Sequence, residues 1–245
     1  MKTKKWKNHK YFGLSEKFYK ENQRLFLNFF IQRKPNSAKN GLKLLDLGCM
    51  GGEFTKETAK VIGTDRTFGI EIVKKYANDA RKRGIKVKKG DLNKRFPYPS
   101  KFFDVISANQ VLEHLWNTDN FFKETNRVLK KGGYAVISVP NLSSCHSIFF
   151  ILLGQQTPVL HLVPKQVGNF LSGTKIRQPE HMKAFNVPAL MDLARLYGFK
   201  VERLEGFGFY FLPMFLQKIV SKLMKRYTVF LTMRIRKVRD YKKGH

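Results

Sequence analysis

The stretch Leu44–Phe54, with the sequence LLDLGCMGGEF, decides the fold. It opens with an apolar run that is too short for a helix and is closed by glycine, which predicts a buried parallel strand over residues 42–47. The glycines that follow let a ligand approach the backbone where a Cβ would collide with it. A helix is expected from about Gly52, and its N-terminal amides would face the bound molecule.

The rest of the chain alternates between strand-like and helix-like segments, which is typical of βαβ units in a parallel sheet with helices on both faces. An amphipathic helix is predicted over residues 14–33, before the first strand. The further predicted strands are 67–72, 85–89, 103–108, 133–139, 199–207 and 227–237, and the further helices are 52–60, 73–83, 118–130 and 187–197. The sequence therefore predicts an α/β fold.

The glycine loop resembles motif I of the class I S-adenosylmethionine (SAM)-dependent methyltransferases. Asp46, Gly48 and Gly52 occupy the first, second and last marked positions of its D-x-G-x-G-x-G pattern. The middle glycine is replaced by Met50, whose side chain must lean away from the ligand or narrow the pocket. The spacing does not give the dinucleotide pattern G-x-G-x-x-G, since the residue three beyond Met50 is Glu53. A glycine turn with a purely structural role is the alternative.

Two later segments match the same family in the same order. Residues 103–115 are similar to its F-D-x-I-x-x-x-x-x-L-E-H-L segment, and residues 127–133 to its R-x-L-x-x-G-G signature. Weaker similarity is found at 181–185 and at 198–199. The branch that includes ubiquinone-biosynthesis methyltransferases looks most similar. The resemblance implies a Rossmann-like, seven-stranded, mostly parallel sheet in which a C-terminal hairpin inserts one antiparallel strand.

The resemblance also implies where SAM binds. Glu71, at the end of the second strand, is expected to accept both ribose hydroxyls, with Asp65 as a competitor. Asp91 is expected beside the adenine amine, although a turn-capping role is a rival. Cys49 is expected to pack in the loop and not to act as a nucleophile. The predicted cofactor-binding residues are Asp46, Gly48, Cys49, Gly52, Glu71, Asp91, Leu92 and Asn109.

His114 and His181 are the candidates for a catalytic base, needed only if the methyl acceptor carries a proton with a high pKa. Each is placed near the expected mouth of the pocket, and a structural role is the alternative for both. The spacing of histidines, cysteines and carboxylates predicts no metal site.

A single methyltransferase domain is expected over residues 1–245. It would comprise an N-terminal helical cap (1–41), a SAM-binding core (42–140), an insertion or lid (141–180), and a C-terminal helix and hairpin (181–245). The two cysteines argue for a reducing interior, and no secretory signal or membrane span is predicted, so we expect a cytoplasmic protein.

The methyl acceptor is expected to be a small or lipid-like molecule. The residues after the fourth strand, Ala108–Val111, lack the [D/N/S]-P-P-[Y/F] motif of enzymes that methylate nucleobase amines. The net charge of +29 suits an anionic membrane or a nucleic acid, and a compositional bias of the genome would also produce it. Apolar runs at 148–163 and 207–216 favour peripheral contact with an anionic membrane; the first could instead be a lid over the pocket. An RNA methyltransferase and a SAM-binding protein without turnover are the alternatives.

Overall fold

The computed structural model describes residues 16–31, 41–176, 180–210 and 212–241. Its strands are β1 (Leu44–Leu47), β2 (Thr67–Glu71), β3 (Lys86–Lys89), β4 (Phe103–Asn109), β5 (Leu129–Pro140), β6 (Phe199–Phe207) and β7 (Phe230–Lys237). Its helices are α1 (Glu16–Ile31), α2 (Glu53–Ile62), α3 (Lys74–Lys82), α4 (Thr118–Val128), α5 (Cys145–Leu152), α6 (Val187–Leu196) and α7 (Met214–Leu223).

The strands form one sheet in the order β3-β2-β1-β4-β5-β7-β6. Neighbours from β3 to β5 pair in parallel, whereas β7 is antiparallel to both β5 and β6. The expected Rossmann-like fold, with one antiparallel strand from a C-terminal hairpin, is confirmed. The carboxyl ends of β1, β2, β4 and β5 lie at one edge of the sheet, which is where ligands bind in open α/β sheets.

Helices cover both faces of the sheet, so its central strands are buried and read as apolar runs. On one face, Phe26, Phe29 and Phe30 of α1 pack with α2 against β1, β4 and β5. On the other face, α4 and α6 pack against the same sheet in the larger core cluster. The glycine at position 63 ends α2 in the left-handed conformation, and Asn117 and Asn186 cap the N-termini of α4 and α6.

Most predicted boundaries agree with the structure to within two residues, and two differences are larger. The helix predicted over 118–130 ends at Val128, and β5 already begins at Leu129 instead of at residue 133. The final strand begins at Phe230 instead of 227. Helices α5 and α7 were not predicted. The apolar residues of α5 leave no clear polar face, and α7 buries its polar residues Gln217 and Ser221 while its apolar residues are exposed. Some predicted features lie outside the described residues. They are the two ends of the first predicted helix, at 14–15 and 32–33, the basic N-terminus, and Arg177.

The fully buried Asn141 joins the end of β5 to the segment before β7. Its amide nitrogen Nδ2 donates to the carbonyl oxygens of Arg226 (2.9 Å) and Thr228 (2.7 Å), and its Oδ1 accepts from the Ser143 amide (3.0 Å). The Asn141 backbone amide also donates to the carbonyl of Val229 (2.9 Å). This side chain therefore fixes the turn where two long connections leave the sheet.

Replacing Asn141 with alanine removes these three side-chain hydrogen bonds and leaves buried backbone groups without partners. We expect Asn141→Ala to lower the free energy of unfolding by about 2–3 kcal/mol, measured by urea denaturation. Asn78→Ala on the exposed side of α3 is the control, with an expected change within about 0.5 kcal/mol. Equal midpoints for the two variants would contradict this role of Asn141.

Candidate active site

Asp46 lies in β1 at the carboxyl edge of the sheet and is almost completely buried. Its Oδ2 accepts a hydrogen bond of 2.5 Å from the hydroxyl of Thr55 on α2. Burial raises the pKa of Asp46 to about 6, and the nearby Glu71 carboxylate adds to the rise, whereas the Thr55 hydroxyl opposes it. The carboxyl group thus holds the first strand against the helix that follows the glycine loop.

The glycine loop is tied to the end of β2 by backbone hydrogen bonds. The amides of Gly48 and Cys49 both donate to the carbonyl of Ile70, at 2.9 and 3.2 Å. The next amide, that of Met50, donates to Oε2 of Glu71 (2.9 Å), and the amide of Val73 donates to Oε1 (2.8 Å). The Glu71 carboxylate is therefore held in one orientation beside the loop. Asp65, its predicted competitor, is exposed ahead of β2.

Each of three glycines sits where a Cβ would collide. At Gly48 (φ +71°) a Cβ would lie 2.9 Å from the Val111 side chain, and at Gly52 (φ +86°) it would meet α3 and the residues after it. The contact with Val111 gives Gly48 a packing role in addition to the expected ligand approach. Gly69 of β2 was not predicted from the sequence. A Cβ at this position would lie 2.5 Å from Sγ of Cys49.

The loop residues Cys49 and Met50 point in different directions. Cys49 is buried above Gly69, and burial raises the pKa of its thiol well above the usual value, so the thiol stays neutral. This agrees with a packing role. Met50 adopts a positive φ of 45° and its side chain is 44% exposed, so it leans toward solvent.

Three predicted cofactor residues follow the third and fourth strands. The Asp91 carboxylate accepts from both the backbone and side-chain nitrogens of Asn93 (2.9 and 3.0 Å), so Asp91 does cap a turn. Leu92 is buried in the main core cluster. Asn109 ends β4, and its Oδ1 is a buried acceptor without a hydrogen-bond partner among the described residues. An unpartnered buried acceptor at this edge suits a polar ligand.

His114 and His181, which are far apart in the chain, meet at the same edge. Their ring centroids are 5.0 Å apart. The buried Glu113 joins them, with ligand atoms of the three side chains all within 4.8 Å of one another. The sequence spacing predicted no metal site and missed this cluster, because His181 reaches it from a distant segment. Burial lowers the pKa of His181 to about 4, so its imidazole is neutral at physiological pH.

The comparison with known families identifies residues 17–204 as matching the family described as "Methyltransferase domain". A ubiquinone biosynthesis O-methyltransferase of Pelagibacter ubique is 27% identical over 206 residues, covering 82% of this chain and 78% of that protein. The mitochondrial protein of the same name from Rattus norvegicus is 25% identical over 180 residues. That match covers 71% of this chain, which spans about half the length of the rat protein.

Solved structures show the same fold. A SAM-dependent methyltransferase from Mesorhizobium loti has a TM-score of 0.58 and 19% identity, covering 89% of this chain and 96% of that one. A Haloferax volcanii complex of the Trm112 methyltransferase activator with a putative methyltransferase gives a TM-score of 0.61 and 14% identity, covering 91% of this chain and 93% of the matched one. These likenesses support the assigned fold.

Cofactor binding can be tested directly by a substitution at Glu71, because its carboxylate is held in one orientation. Glu71→Ala removes the carboxylate that is expected to accept the ribose hydroxyls of SAM, and it also removes the acceptor of the Met50 amide. We expect SAM binding to weaken by about 1.5–3 kcal/mol, measured by isothermal titration calorimetry.

Asp65→Ala is the matched control, because it removes an exposed carboxylate just ahead of the same strand. It is expected to bind SAM as the unmodified chain does. Unchanged affinity in Glu71→Ala, or an equal loss in Asp65→Ala, would show that Glu71 does not hold the ribose.

Proposed function

Because the chain belongs to the SAM-dependent methyltransferases, we propose that it transfers the methyl group of SAM to a hydroxyl oxygen of a lipid-like small molecule at a membrane surface. The observation that carries this proposal is an exposed apolar surface flanked by cations at the ligand-binding edge of the sheet. The O-methyltransferase activity named for the ubiquinone-biosynthesis relatives supports a hydroxyl acceptor.

The residues at the sheet edge fit SAM. Glu71 offers a fixed carboxylate for the ribose, and Asn109 offers a free acceptor. Gly48 keeps the loop backbone open beside them. When bound, SAM supplies an electrophilic methyl group on a positively charged sulfur. The protein then needs mainly to orient the acceptor oxygen and to exclude water.

Helix α5 and the segment after it expose several large apolar side chains. Phe149 and Leu152 are 55% and 80% exposed, and Phe170 is 67% exposed. Phe150 is different: it is buried and packs on Phe170 at a centroid distance of 5.7 Å, so it does not face outward as its apolar run suggested. The exposed members of this surface are Phe149, Ile151, Leu152, Leu153, Leu162, Val163 and Phe170.

Helix α7 adds a second apolar surface at the same edge. In the sheet, Pro140 of β5 pairs with Phe230 of β7, which pairs with Phe207 of β6. The connections after β5 and between β6 and β7 therefore leave the sheet side by side. The exposed apolar residues of the second connection are Phe215, Leu216, Ile219, Leu223 and Met224.

Cations flank both apolar surfaces. Lys165 and Lys175 lie on the segment after α5, and Lys222, Lys225 and Arg226 lie at or after the end of α7. Within the described ranges, no carboxylate lies within ion-pair distance of these five side chains. Exposed apolar side chains beside unpaired cations are typical of proteins that rest on anionic membranes. None of the helices in the described ranges has the length and apolar content that a membrane crossing requires.

Membrane binding is tested with a double substitution on α5. Phe149→Glu together with Leu152→Glu puts two carboxylates where apolar side chains would enter the lipid. We expect pelleting with vesicles of phosphatidylcholine and phosphatidylglycerol to fall at least about tenfold, since burying each such side chain contributes about 1.5–3 kcal/mol.

The matched control is Leu196→Glu together with Val238→Glu, which alters exposed apolar residues at the opposite edge of the sheet. This variant is expected to pellet as the unmodified chain does. Equal pelleting of both double variants would remove the evidence for a membrane-facing surface on α5.

The acceptor class is tested by methyl transfer from labelled SAM to lipid, small-molecule and RNA extracts. We expect label in the lipid fraction. This label should survive treatment with mild base and should be released by ether cleavage. Label confined to RNA would overturn the proposal in favour of an RNA methyltransferase. No label in any fraction, with SAM bound, would favour a binding protein without turnover.

A further inference from the structure

Glu113 carries a buried carboxyl group with no lysine or arginine partner among the described residues. Its side chain is 1% exposed, and neither of its carboxylate oxygens has a hydrogen-bond partner among the described residues. A carboxyl group in such a place is costly for the fold unless a proton or a cation neutralises it. The side chains around the Glu113 carboxyl group therefore indicate which class of cation would neutralise it.

The two neighbouring imidazoles are oriented as metal ligands. Nδ1 of His114 lies 3.0 Å from the carbonyl oxygen of Glu180, and Nδ1 of His181 lies 2.9 Å from that of Val159. A carbonyl only accepts, so each Nδ1 carries the proton and each Nε2 keeps its lone pair. His114 Nε2 lies 3.8 Å from Oε1 of Glu113. Metal-ligating histidines show this pattern, with the second ring nitrogen donating to a carbonyl.

A third histidine supports the cluster without offering a ligand. The His161 ring stacks on that of His181, with centroids 4.6 Å apart and an interplanar angle of 18°. Its Nδ1 accepts from the His181 amide (3.1 Å), and its Nε2 donates to the carbonyl of Pro158 (3.2 Å). Both nitrogens of His161 are thus used, and the ring fixes the position of His181.

The backbone also holds the two halves of the cluster together. The amides of Met182 and Lys183 donate to the carbonyl of Glu113, at 2.9 and 3.1 Å. The segment that carries His181 is therefore bonded directly to the turn that carries Glu113 and His114. These backbone bonds keep the three side chains close to one another.

We propose that Glu113, His114 and His181 bind one divalent transition-metal ion, and that this ion coordinates the hydroxyl oxygen of the methyl acceptor. Two imidazoles and one carboxylate suit zinc, manganese, iron or cobalt better than magnesium or calcium, which prefer oxygen ligands. Three protein ligands leave coordination positions open, as in catalytic metal sites. The coordination of the acceptor hydroxyl by the metal rests on the proposed O-methyl transfer, whereas the metal site itself does not.

A metal at this place explains how a hydroxyl acceptor is activated without a free base. Coordination to a divalent cation lowers the pKa of a bound hydroxyl, so the oxygen is held as an oxyanion and its proton leaves to solvent. The cluster follows directly on β4, whose last residue Asn109 faces the expected cofactor site. His114 and His181 then serve as ligands, in place of the expected role as bases.

The metal site is tested by titrating the tag-free protein with Co²⁺ and recording its visible absorption. One equivalent is expected to give the bands of cobalt bound by nitrogen and oxygen. Glu113→Gln and His181→Ala are each expected to weaken Co²⁺ binding at least about 100-fold. Because Glu113→Gln replaces a buried ionisable carboxyl group with a neutral amide of nearly the same shape, its unfolding temperature without metal should equal or exceed that of the unmodified chain.

Two control variants separate this site from others that bind cobalt. Glu57→Gln removes an exposed carboxylate on α2, and Cys145→Ser removes an exposed thiol; both should keep the bound equivalent and its spectrum. No stoichiometric Co²⁺ binding, or binding unchanged in Glu113→Gln and His181→Ala, would overturn the metal site.

The two halves of the proposal fail in different ways. Suppose that the protein binds one Co²⁺, that Glu113→Gln loses this binding, and that label is found only on RNA. The metal site would then stand, and the proposed role of the metal toward a hydroxyl acceptor would be overturned. Methylation of a hydroxyl compound at full rate after chelation, or in Glu113→Gln, would overturn the role of the metal and leave the proposed O-methyl transfer intact.

Discussion

The hydrogen bonds between the glycine loop and the end of β2 are the constraint on which the rest of the site depends. Ile70 accepts from two successive loop amides, and Glu71 accepts from the next one. These bonds are possible only because the loop backbone comes close to β2, and that approach requires a glycine at position 69 beneath Cys49. Through this contact the packing of the sheet fixes the orientation of a carboxylate and the start of α2. The geometry for a nucleoside ligand is thus set by backbone contacts before any ligand is present.

A second constraint acts at the other half of the sheet, where β7 enters between β5 and β6. Its antiparallel direction brings the connection between β6 and β7 to the same edge as the connection after β5. Asn141 closes this junction with hydrogen bonds to both sides. Consequently the two apolar surfaces on α5 and α7 lie beside the ligand-binding edge and not at opposite ends of the molecule. The strand order therefore places these apolar surfaces beside the expected cofactor site.

The sequence was sufficient to predict the fold, because local patterns specify it. Apolar runs closed by glycine gave the parallel strands, and the spacing of Asp46, Gly48 and Gly52 gave the loop. The sequence was not sufficient where contacts join distant segments. Gly69 is explained only by Cys49 above it. Glu113 is unusual only because the fold buries its carboxyl group with no hydrogen-bond partner in the part of the chain that the structure describes. Helices α5 and α7 were not predicted because α5 is apolar on nearly all sides and α7 reverses the usual pattern, burying Gln217 and Ser221 and exposing its apolar side chains.

The placement of Glu113 also bears on how the fold distributes its stability. An unpaired buried carboxyl costs free energy that a neutral side chain of the same shape would not, and the surrounding segments are held tightly enough to tolerate it. Two backbone amides fix the Glu113 carbonyl, and stacked histidines fill the space beside its side chain. A site that is costly when empty gains stability when it binds a cation. The cation proposed at Glu113 would thus join the stability of this part of the fold to its chemistry, separately from the loop around Glu71 that is expected to hold SAM.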